Sequence, residues 1–171
     1  YLGERFKTGG FHALFATQIG DWFSGSVVNR YNNAIYYSSD PYAGLLNRFS
    51  LSLKFQPITK FNIDLSFLYY NFREADTKDM VYTYPIERLK LTYQFNKFLF
   101  VRGVLEYNGY RKNLLTDFLV SFNYIPGTVF YLGYGSLFES IDLAGERMFN
   151  PDQAYDMERG LFLKLSYLFR R

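Results

Sequence analysis

Phe61-Asn62-Ile63-Asp64-Leu65-Ser66-Phe67 alternates apolar and polar residues without a break. A helix would repeat every 3.6 residues. A period of two over seven residues puts one set of side chains on each face of a β-strand. The same pattern runs through Phe49-Ser50-Leu51-Ser52-Leu53-Lys54-Phe55, through Leu89-Lys90-Leu91-Thr92-Tyr93-Gln94-Phe95 and through Leu161-Phe162-Leu163-Lys164-Leu165-Ser166-Tyr167-Leu168-Phe169. No stretch has a helical period, so the fold class is all-β.

Nine strands are expected, at about residues 9–19, 22–36, 45–56, 60–73, 80–95, 98–110, 113–125, 128–141 and 159–170. The second is the least regular, because Asn32-Asn33 interrupts it. Tight connectors follow the odd-numbered strands: Gly20-Asp21, Gln56 to Thr59, Asn96-Lys97 and Pro126-Gly127. Their Gly, Pro, Asn and Asp residues are those that short hairpin turns require. Longer connectors follow most even-numbered strands, at Ser38–Gly44, Glu74–Asp79 and Asp142–Glu158, with Arg111-Lys112 as the exception. Short turns at one end and long loops at the other mark an antiparallel up-and-down transmembrane β-barrel of the outer-membrane type. Residues 1–171 read as one such domain or as the C-terminal segment of one.

Composition agrees. Of 171 residues, 22% are aromatic, with 17 Tyr and 19 Phe against one Trp. Tyr and Phe suit strands and membrane interfaces. There is no run of about 18 apolar residues and hence no candidate transmembrane helix. Mean hydropathy is −0.16, as expected of strands that are half polar. No cysteine is present, which excludes disulfides and thiolate metal sites. A net charge of +3 gives no reason to expect a nucleic-acid partner. The chain opens Tyr1-Leu2-Gly3-Glu4, without a leader-like segment.

In a membrane barrel the apolar face meets lipid. Leu53, Leu65, Leu91, Val120 and Leu163 are expected there. Phe55, Phe61, Phe95, Tyr124, Tyr167 and Phe169 fall near the short-turn ends, where an interfacial aromatic belt would lie. The other face carries Arg48, Lys54, Asp64, Arg88, Lys90, Arg102, Glu106, Asp117 and Lys164, which would face the lumen. Six cations against three anions leave an excess of three positive charges. In a narrow barrel they would form an ion-pair network. In a wide one they would favour anions.

Three segments resemble one family: Leu91-Thr92-Tyr93-Gln94-Phe95-Asn96-Lys97 with Arg102, Pro126-Gly127-Thr128-Val129-Phe130-Tyr131-Leu132-Gly133-Tyr134, and Phe162-Leu163-Lys164-Leu165-Ser166-Tyr167-Leu168-Phe169-Arg170. Together they look like the C-terminal part of an uncharacterised outer-membrane β-barrel family of Bacteroidota, in which a large barrel follows a carbohydrate-binding-like module. The resemblance covers roughly residues 86–171 and implies a bacterial outer-membrane location. It implies no catalytic residue. The last strand, rich in aromatics near its end, also resembles the signal that barrel-assembly machinery reads, although Arg170-Arg171 trail the final Phe.

Other chemistry is sparse. His12 is the one histidine, read as a plain polar residue rather than a catalytic base, since no serine with a matching signature lies nearby. Glu139, Asp142, Glu146, Asp152, Asp156 and Glu158 lack the spacing of a Ca²⁺ site and read as a solvated loop, with Arg147 and Arg159 among them. Gly133 and Gly135 suggest close packing or bending of the wall. No cofactor is expected. The expected partners are outer-membrane lipid and, for a scaffold, other outer-membrane proteins. Three functions stay open: a pore or the anchor of a surface complex, a non-conducting scaffold, and, least favoured, a lipid-modifying enzyme. Parity adds one expectation. Nine crossings cannot begin and end in the periplasm, so further strands should complete the wall.

Overall fold

Cross-strand pairing of period-two segments builds a single sheet. The computed structural model describes residues 7, 9–125, 127–139 and 155–168, with only the backbone at 125 and 155–157. The strands are β1 (Gly10–Ile19), β2 (Phe23–Tyr36), β3 (Tyr42–Ile58), β4 (Phe61–Glu74), β5 (Met80–Gln94), β6 (Leu99–Asn108), β7 (Asn113–Ile125), β8 (Thr128–Glu139) and β9 (Tyr155–Ser166). All neighbours are antiparallel, in the order β1-β2-β3-β4-β5-β6-β7-β8-β9. Among the described residues β1 and β9 do not pair, so the sheet is open. The fold is an all-β, up-and-down sheet of nine strands.

β2 is continuous through Asn32 and Asn33, which face Leu46 and Leu45 of β3. Three strands outrun their sequence-based limits. β3 begins at Tyr42 because the Tyr36 and Tyr42 rings stack at 5.0 Å and carry the hairpin upward, so the connector expected at Ser38–Gly44 shrinks to Tyr37–Pro41. β4 pairs as far as Glu74, opposite Gly44. β9 starts at Tyr155 rather than 159. Residues 140–154, which include Asp142, Glu146, Arg147 and Asp152, lie outside the described residues.

The turns obey local chemistry. Asn96 Oδ1 accepts from the Phe98 and Leu99 amides, and Asn108 Oδ1 accepts from the Tyr110 and Arg111 amides. Both are side-chain-closed turns of the kind Asn favours. Gly20 and Gly127 take positive φ, at 55° and 89°, in the β1–β2 and β7–β8 turns.

Burial is inverted relative to a soluble sheet. Among the described residues the four buried apolar side chains, Leu46, Phe72, Val104 and Leu119, all sit on the charged face. Large apolar residues on the opposite face stay exposed, among them Leu65 at 41% and Leu163 at 65%.

Gly133 of β8 is opposite Phe162 of β9. A Cβ at position 133 would run into the Phe162 ring, which lies flat over the glycine. Such a ring shields a strand glycine from solvent and pins its register. Gly133→Leu should therefore displace the ring and destabilise the β8–β9 hairpin by about 1–3 kcal/mol. Denaturant unfolding should show a lowered midpoint, and Phe162→Ala in the same background should recover part of the loss.

Candidate functional site: the charged face

The register assigns every strand residue to one of two faces. Arg48, Lys54, Asp64, Arg88, Lys90, Arg102, Glu106, Asp117 and Lys164 all fall on one face. Leu53, Leu65, Leu91, Val120 and Leu163 fall together on the other. A single uncorrected slip anywhere would have split either group.

On the charged face the pairs are cross-strand neighbours. Asp64 lies between Lys54 at 3.9 Å and Lys90 at 3.0 Å. Arg88 Nη1 donates to Glu106 Oε2 at 2.9 Å. Arg102 and Asp117 approach diagonally to 3.8 Å, an ion pair without a hydrogen bond. All three carboxylates of the sequence reading are thus engaged, by four of the six cations. The network runs along the sheet from β3 to β7. Arg48 and Lys164 stay outside it. Arg48 lies over the Tyr70 ring, 5.8 Å from its centroid. Among the described residues Lys164 has no carboxylate within ion-pair distance.

His12 is exposed on the same face, with Arg30 of β2 as its cross-strand partner. Arg30 is in turn opposite Arg48. Sequence reading missed Arg30, because β2 has Gly25 and two asparagines that blur its alternation. Its signal was the pairing with β3, which only the register supplies. The same face also gathers aromatics near the long-connector end. Tyr36, Tyr42 and Phe72 cluster at 5.0–6.3 Å, and Phe72 stacks on Tyr82 at 5.7 Å and 11°.

The opposite face has its own vertical order. At the short-turn end its aromatics meet in groups: Trp22 against Phe55 at 5.7 Å, Phe61 with Tyr93 at 6.2 Å, Tyr93 with Phe95 at 4.8 Å, and Phe122 with Tyr124 at 6.3 Å. Trp22, in the β1–β2 turn, was not foreseen there. Tyr167 follows β9 and is exposed, while Phe169 lies outside the described residues. At the other end the same face turns to amides. Asn47 and Asn71 are cross-strand partners, and Asn29 donates to Asn47 Oδ1 at 2.9 Å.

Among the described residues no group of three or more His, Asp or Glu could hold a metal ion. The ion pairs are partly exposed, with side-chain exposures of 26–64%. Removing one should therefore cost little. A double-mutant cycle on Arg88→Gln and Glu106→Gln should give a coupling of about 1 kcal/mol or less, falling as salt rises. A coupling of several kcal/mol would mean that the pair is shut away from water in the assembled protein. Comparison with known protein families, with curated proteins and with solved structures gives no match.

Proposed function

We propose that this sheet is part of the wall of a bacterial outer-membrane β-barrel whose charged face lines an aqueous pore. The carrying observation is the apolar face. It spans all nine strands, keeps large side chains such as Phe15, Leu65, Leu91, Phe118 and Leu163 exposed, and is bordered by aromatics at one end and, on β2–β4, by Asn29, Asn47 and Asn71 at the other. Soluble proteins rarely leave more than a few hundred Å² of continuous apolar surface open. A soluble core also has no reason to sort its side chains by height. A bilayer does, since its middle takes aliphatics, its interface takes Tyr, Trp and Phe, and its outside takes amides.

The dimensions agree. On β7 the outward positions run from Leu114 to Tyr124. At ~3.3 Å per residue this is about 33 Å of strand. A tilt of about 40° reduces it to roughly 25 Å of height, the thickness of the apolar band of such barrels.

Among the described residues β1 and β9 each keep an unpaired edge, which supports a larger assembly. In lipid, each unsatisfied backbone group costs several kcal/mol. Strands from the same polypeptide or from another chain would therefore pair with β1 and β9. A wall of more than nine strands encloses more space than the eight-stranded barrels whose side chains fill their interior. The ion pairs lie flat along that wall, which suits a water-filled lumen with a positive bias. A non-conducting scaffold is the second reading, favoured by the same two edges if a partner protein supplies their strands.

Two outcomes follow. Leu65→Arg should destabilise the folded protein by about 2–4 kcal/mol in a bilayer, while Ser52→Arg on the charged face should be mild. A cysteine at position 65 should resist a water-soluble thiol reagent that labels one at position 52. Equal labelling of the two would overturn the membrane reading.

Planar-bilayer recording should show channels preferring small anions, and the pair Lys90→Glu with Arg102→Glu should reverse that preference. Silent bilayers from correctly folded protein would favour the scaffold.

A further inference from the structure

Arg30 and Arg48 are directly opposed on neighbouring strands, on the charged face. Like charges in that relation destabilise a sheet. Among the described residues neither arginine has a carboxylate partner. His12 extends the same row on β1, so no anion enters from that side. The other end of the row is Tyr70, which holds Arg48 by its ring rather than by a charge. The nearest carboxylates are committed elsewhere. Glu74 accepts the Thr77 hydroxyl at 2.7 Å, and Asp64 is shared by two lysines. Further down the charged face Asp64, Glu106 and Asp117 each have a cation within 4 Å. Among the described residues this row sets two arginines side by side with no carboxylate partner.

Two open depressions adjoin Arg48, and Arg30 stands across from it, outside both linings. A cavity of about 580 Å³ runs between the Tyr36 and Tyr82 rings and Arg48. A second of about 300 Å³ adjoins it beneath Tyr70 and Tyr84, with Arg48 and Tyr82 in both linings. Their volumes are of the size that holds a small molecule, with aromatic walls and a few convergent polar groups. Tyr36, Tyr70 and Tyr82 make no hydrogen bond to another described residue, so their hydroxyls are available beside their ring faces.

We propose that Arg30, Arg48 and these tyrosines bind an acidic saccharide. Each requirement of that ligand has its counterpart. A carboxylate or sulfate is met by the guanidinium pair, whose planar donors grip such oxygens two at a time. The flat C–H face of a pyranose lies on a tyrosine ring, and its hydroxyls meet the free phenols. A simple inorganic anion would use the arginines and ignore the rings. An aromatic acid would use both and ignore the phenols. The site belongs to the charged face whether or not that face lines a pore, so binding and conductance fail independently.

Calorimetric titration of the full protein in detergent tests the assignment, with tetragalacturonate, maltotetraose, benzoate and sulfate as probes. Tetragalacturonate should bind at least tenfold more tightly than the other three. Arg30→Gln, Arg48→Gln and Tyr82→Ala should each weaken it tenfold or more, and Arg102→Gln should leave it unchanged. Because the arginines repel one another, Arg30→Gln should keep or raise the unfolding midpoint while losing the ligand. No binding of tetragalacturonate would overturn the proposal. So would binding equalled by benzoate or sulfate, or loss of binding only in variants that unfold.

Discussion

The ladder of backbone hydrogen bonds between neighbouring strands holds the two faces apart. Side chains alternate with a period of two, so a slip of one residue at any of the eight interfaces would move every charge beyond it to the apolar side. Four interfaces do contain bulges, at Phe55/Ile58, Phe72/Arg73, Asn123/Ile125 and Leu137/Phe138. All four lie at strand ends beside a turn or a long connector. The ladder's middle is therefore uninterrupted, and the nine charges named from alternation keep company on six strands.

Alternation made much of this legible. A strand such as β4 declares both of its faces in seven residues, and the ordered aromatics announce which end carries the short turns. Pairing between strands is another matter. Lys54–Asp64–Lys90 is a triple because registers on both sides of β4 bring those three residues level. Nothing in one strand's own sequence says which residue of the next will stand opposite. For the same reason the Arg30–Arg48 juxtaposition and the Tyr36–Tyr42 stack were invisible, and the latter set the true start of β3. Boundaries failed where side chains outside the alternating core, chiefly tyrosines, extended a hairpin.

The charged face divides into two electrostatic regimes. Below, each carboxylate has a lysine or arginine within 4 Å, and the balance is local. Above, arginine meets arginine and tyrosine. A sheet selected for stability alone would place an acid in that row, as it does where Glu106 stands opposite Arg88. Sequences depart from local consistency chiefly where a function needs the departure. The proposed ligand would supply the missing negative charge on arrival.

The edge strand β1 carries neither charge nor proline over Gly10–Ile19, and its apolar side chains are exposed on both faces. Soluble proteins blunt such an edge with lysine, proline or a bulge. Here it is left adhesive. In the proposed barrel β1 has to be joined and so cannot also be repellent, and biogenesis there would be a race. Either the completing strand reaches β1 first, or the β1 of another copy does. The yield of correctly built protein then depends on how fast that seam is closed and on how dilute the unfinished chains are kept.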